Sequence, residues 1–76
     1  MNTENTELTR VESLILEGRE LIQQGNLTAA IARFRLATKE DPEVSLAWND
    51  LGVALYASKQ FVRAKKAFST ALSMTP

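Results

Sequence analysis

Shifted by 34 residues, the second half of this chain falls on the first. Leu14 meets Trp48, Gly18 meets Gly52, Leu21 meets Leu55 and Ile22 meets Tyr56. Leu27 then meets Phe61, Ala30 meets Ala64, Phe34 meets Phe68, Ala37 meets Ala71 and Pro42 meets Pro76. A unit repeating at such a period cannot bury its apolar face alone, so it stacks on its neighbour. The paired residues indicate how each unit is built. Gly18, Gly52, Ala30 and Ala64 are small enough to let two helices approach closely, and Phe34 and Phe68 fill the wider gap beside each crossing.

The stretch Leu46–Ala57 sets the number of layers. It reads as three helical turns with only Asn49 and Asp50 polar. At about 100° per residue its side chains form three faces. Trp48, Gly52 and Leu55 make one, Ala47, Leu51 and Ala54 a second, and Leu46, Asn49, Val53 and Ala57 a third. A helix with two fully apolar faces needs two neighbours. Trp48, the largest apolar residue of the set, is expected to anchor the core.

The rest of the chain supplies those neighbours. Residues 1 to about 6 have nothing to bury and are expected to fray. Leu8, Val11, Leu14, Ile15, Leu21 and Ile22 recur at helical spacing, predicting a first helix from Glu7 to Gln24. Thr9 with Glu12 can form a capping box, while Asn5 or Thr6 could cap a longer helix. Gly25-Asn26 stops that helix and caps the next, which runs from Leu27 to about Lys39. Asp41-Pro42-Glu43 is expected to open the central helix, with proline in its first turn. Ser58-Lys59-Gln60 is the last turn, before a fourth helix from Phe61 to about Met74. The fold class is all-α: four antiparallel helices joined by short turns.

Composition narrows the chemistry. The chain has no cysteine and no histidine, which removes thiolate chemistry, the usual general base and the commonest metal ligand. Glu17 and Glu20 share a helix face, but solvent-facing carboxylates of that kind are ordinarily solvated charge. We therefore expect no enzyme, no metal and no cofactor. Nine acidic and nine basic residues cancel, so no global field points to nucleic acid or an anionic membrane. No apolar run approaches the roughly 20 residues of a membrane span. The polar, acidic start is unlike a signal peptide. A soluble cytoplasmic protein is the expectation.

The pattern Trp48-x-x-Leu51-Gly52, then Ala64-x-x-x-Phe68, then Pro76, at this period, resembles the tetratricopeptide repeat. The resemblance covers Val11 to Pro76 and divides the chain into residues 1–10, a tail and helix start, and repeats at 11–44 and 45–76. It implies two stacked helix-turn-helix units, a fragment of a right-handed α-solenoid. Two departures stand in the first copy, Leu14 in the tryptophan slot and Glu17 where leucine is expected. The second copy has Leu55 in the tyrosine slot, with Tyr56 one place later.

The resemblance also implies a site. The first helices of successive repeats line a concave groove that holds a peptide. Its lining here would be Glu12, Ile15, Arg19 and Gln23, then Leu46, Asn49, Val53 and Ala57. Ile15, Arg19 and Asp50 stand where chaperone adaptors of the family carry a carboxylate clamp, so capture of a C-terminal carboxylate is not expected. An apolar or amphipathic segment fits better. The implied function is protein–protein interaction, as an adaptor or the N-terminal part of a larger protein.

The two ends differ. Ser13, Glu17, Glu20 and Gln24 make a polar outer face on the first helix, expected of a true N-terminal end. Leu72 and Met74 leave the other end apolar, so either the chain continues or another molecule covers it. A homodimer burying Leu72 and Met74 is the alternative function. A nucleic-acid reading would rest on Arg33, Arg35, Lys39, Arg63, Lys65 and Lys66. No exposed aromatic platform is expected beside them, so no nucleic-acid partner is expected.

Overall fold

The computed structural model of the chain describes residues 8–75. Four helices follow one another: α1 Arg10–Gln23, α2 Leu27–Glu40, α3 Ser45–Ala57 and α4 Phe61–Ser73. No strand occurs among the described residues. α1 packs on α2, α3 on α4, and α3 also on α2 and, at its edge, on α1. The backbones of α2 and α4 stand apart. The arrangement is the two-hairpin stack expected of a short helical solenoid.

Helix starts and stops follow local chemistry. Thr9 Oγ1 accepts from the Glu12 amide at 3.1 Å, and Glu12 Oε1 accepts from the Thr9 amide at 2.9 Å. This capping box starts α1 at Arg10 rather than Glu7, and the alternative caps Asn5 and Thr6 lie outside the described residues. At the other end the Asn26 amide reaches back to the Leu21 carbonyl at 2.8 Å, and the Gly25 amide to Ile22 at 2.9 Å. These two bonds form a Schellman turn, with Gly25 left-handed at φ 79°. Asn26 Oδ1 then caps α2 through the Ala29 amide at 3.3 Å.

The repeat extends to these turns. Gln60 bonds to Leu55 at 2.8 Å and Lys59 to Tyr56 at 2.9 Å, with Lys59 in the slot that Gly25 fills, at φ 69°. A lysine there costs about 1 kcal/mol relative to glycine. α2 runs one residue further than expected, to Glu40, and α4 one residue less, to Ser73.

One boundary differs more. Pro42 lies outside α3, which begins at Ser45 with Val44 as its cap residue. The proline instead belongs to a turn in which Asp41 Oδ1 accepts from the Glu43 amide at 3.1 Å. Its carbonyl, at 2.9 Å, accepts from the Trp48 indole.

The core also has a different centre. Phe34 is the one large side chain that is fully buried among the described residues. Around it Ala30, Ala37, Ala47 and Ala54 are fully covered, and these small residues let α2 and α3 close on one another. Trp48 is only partly buried and packs against this cluster from outside. Ala47, Leu51 and Ala54 of α3 are buried, while Leu46, Asn49, Val53 and Ala57 remain exposed. Gly18 and Gly52 lie directly under the rings of Phe34 and Phe68. A Cβ on Gly52 would stand 2.6 Å from Phe68 Cε1, and one on Gly18 would overlap the Phe34 ring.

Candidate functional site

The expected concave lining separates into an occupied half and an open half. On α1, Glu12 is engaged in its own capping box. Ile15 is 5% exposed and belongs to the core beneath the face. Arg19 Nε meets Asp50 Oδ2 at 2.8 Å, an ion pair that ties α1 to α3 across the repeat boundary. The Asp50 side chain is 13% exposed, so this carboxylate is well covered. Gln23 is exposed. On α3 all four residues are open, with Leu46 48% and Val53 45% exposed.

Leu46 and Asn49 also form one wall of a groove at the end of the stack. Its other wall comes from α4 and the residue after its cap: Phe68, Ala71, Leu72 and Thr75. The groove is open and holds about 500 Å³. Comparison across the 34-residue shift explains why it exists. Val11, Ile15, Phe34, Ala37 and Thr38 of the first repeat are all buried. Their counterparts Ser45, Asn49, Phe68, Ala71 and Leu72 line the groove instead, and Leu72 is 71% exposed. The first repeat has α3 packed on it; the second has no fifth helix among the described residues. Met74 is partly buried and is not part of the groove wall.

The opposite end is polar, as its sequence implies. Glu17 and Arg33 occupy the places of the buried pair Leu51 and Ala67. They meet at 3.1 Å as an exposed ion pair. Arg10 and Glu40 make another at 3.2 Å between the ends of α1 and α2.

On the outer side four of the six remaining cations gather at a second cleft. It lies between α2 and α4, with Arg35 and Lys39 on one wall and Arg63 and Lys66 on the other. Trp48 lies in its lining, partly buried against the core.

Sequence reasoning missed four groove residues, Ser45, Phe68, Ala71 and Thr75, and the partner of Arg19. For Phe68, Ala71 and Asp50 the signal was the repeat itself. Phe68 and Ala71 align with core residues Phe34 and Ala37, and an apolar residue with no helix to cover it becomes a surface. Asp50 lies one turn before Val53, the counterpart of Arg19, which places the pair side by side on successive helices.

Among the described residues no group of three or more His, Cys, Asp or Glu could hold a metal ion. No helix among them is long and apolar enough to cross a membrane. A family model described as tetratricopeptide repeat matches residues 15–76. No curated protein matches the chain.

Proposed function

The chain belongs to the tetratricopeptide repeat family, whose members generally mediate protein–protein interactions, and we propose that it binds an amphipathic helix of a partner on the open face of its second repeat. The observation that carries this reading is the open groove between exposed Leu46 and Leu72, with half-buried Phe68 and buried Ala71 beneath them, whose first-repeat counterparts are covered apart from Glu12. Val53 and Ala57 extend the same surface along α3. In the first repeat, the helix that closes the stack presents Ala47, Leu51 and Ala54, at i, i+4 and i+7. A partner with that spacing of small and large apolar residues has a matching shape. Covering the half-exposed Leu46 and Val53 contributes about 1 kcal/mol each, and Leu72 about 2 kcal/mol. The position facing Val53 also wants an apolar residue, because Val53 stands where Arg19 holds Asp50.

Val53→Glu and Leu72→Glu test this directly. Both side chains are exposed, so each variant should keep the wild-type melt. Each should weaken binding of amphipathic helices selected from a displayed peptide library by about tenfold, the effect of losing a buried methyl cluster and desolvating a charge. Selected peptides that bind both variants as tightly as wild type place the site elsewhere. A collapse of the fold in Val53→Glu makes that face core.

Self-association is a second reading, resting on Leu72 at 71% exposure. A two-fold pairing of the Leu72 and Met74 ends closes at two copies. Head-to-tail stacking instead drives Glu17 and Glu20 of one copy against the apolar groove of the next, which leaves buried carboxylates. Sedimentation equilibrium should show a dimer that Leu72→Lys dissolves. A constant one-chain mass up to millimolar concentration rules it out.

A further inference from the structure

The zero net charge of the chain hides a strong segregation. Arg33, Arg35, Lys39, Arg63, Lys65 and Lys66 all lie on α2 and α4, and these helices carry a single carboxylate, Glu40. Glu40 is paired with Arg10, and Arg33 with Glu17. The four cations that line the outer cleft have no ion-pair partner among the described residues, and Arg63 bonds only to the neutral Gln60, at 3.0 Å. All four are exposed.

The cleft exists because α2 and α4 stand apart over α3. Its floor is largely apolar, made by Leu51, Leu55 and Ala67 beside Trp48, with the buried Thr38 hydroxyl donating to the Arg35 carbonyl, and its volume is about 500 Å³. Cationic walls on both sides of an apolar floor favour a ligand that is anionic along its flanks and apolar along its centre. From this complementarity we infer that the outer cleft binds an acidic segment of a partner protein, its carboxylates on the two basic walls and an aliphatic or aromatic side chain on the floor. The site is distinct from the groove proposed above, which lies at the open end of the stack. Nucleic acid fits less well, because the one indole is partly covered and held by its bond to the Pro42 carbonyl. A single covered ring gives no platform for successive bases.

Trp48 is the sole tryptophan of the chain, so its emission reports directly on this cleft. The probe is a synthetic peptide of Glu and Leu, with leucines at i and i+4, titrated into the full chain. A matched peptide of Lys and Leu is the control. The Glu–Leu peptide should change Trp48 emission saturably, with an apparent Kd that rises with salt, and the Lys–Leu peptide should not. Combining Lys39→Glu with Lys66→Glu should weaken the titration about tenfold or more, and the milder pair Lys39→Gln and Lys66→Gln by less. Val53→Glu should leave it unchanged, which separates this site from the end groove. The inference is overturned if the Glu–Leu peptide leaves the emission unaltered up to millimolar concentration. It is equally overturned if the reversed variant, folded by circular dichroism, titrates like wild type. A response confined to oligothymidylate, to phosphatidylserine vesicles or to rising protein concentration alone would assign the cleft to nucleic acid, membrane or a second copy, and would also overturn it.

Discussion

Phe34→Ala should abolish the cooperative thermal melt of this protein. Phe34 is fully buried, and truncating a fully buried phenylalanine costs about 3–5 kcal/mol through lost burial and the cavity left behind. Domains of this size hold little more than that in total stability. Phe68→Ala provides the internal control. It has the same chemistry at the matching position of the second repeat, but its ring is only partly buried, against the open groove. Its truncation should cost about half as much and leave a cooperative, lower transition. Trp48→Ala should also fall short of Phe34→Ala, since the indole packs on the core from outside. Far-ultraviolet circular dichroism with heat and urea measures all three. Equal losses at Phe34 and Phe68 would mean that α3 does not seal the first repeat.

The fold was largely legible because the same information is written twice. Helical spacing located four elements, and the 34-residue shift tied the small residues to the aromatic residues they accommodate. Gly25 and Asn26 act as their chemistry dictates. Pro42 was misplaced because proline is at home both in a first helical turn and in the turn before one. What decides between them is the Trp48 indole bonding to the Pro42 carbonyl, a contact that propensity does not contain. The central place given to Trp48 failed for a related reason. Size and apolarity say that a side chain gains from burial, but neighbours decide how much of it is covered. Where α2 and α4 stand apart, Trp48 is left at the mouth of a cleft.

The candidate surfaces were legible in part. Leu46, Asn49, Val53 and Ala57 share a helix face and are exposed together. Ile15 shares the corresponding face of α1 and is nonetheless buried. The repeat makes these positions equivalent in register but not in environment, since among the described residues a further helix packs only on the first hairpin. Arg19 was readable as a charged groove residue, yet its guanidinium is committed to Asp50. Seeing that required the packing of successive helices, which the periodicity of a single helix does not specify.

Gly18→Ala and Gly52→Ala should part company for the same reason. In an ordinary helix interior the change from glycine to alanine stabilises by about 0.5–1 kcal/mol. Here the added methyl meets an aromatic ring in both repeats, and such overpacking costs about 1–3 kcal/mol when the ring cannot move. Phe34 has no space around it, so Gly18→Ala should destabilise by about 2 kcal/mol. Adding Phe34→Leu should recover part of that loss, a coupling that a double-mutant cycle reads directly. Phe68 can swing outward into the open groove, so Gly52→Ala should be close to neutral in stability. That neutrality has a functional cost. A ring displaced into the groove fills the space proposed for a partner helix, and Gly52→Ala should weaken selected peptides while the melt stays at its wild-type midpoint. Equal destabilisation by the two variants would show that Phe68 is held as firmly as Phe34, leaving the end of the second repeat no freedom to reshape around a ligand.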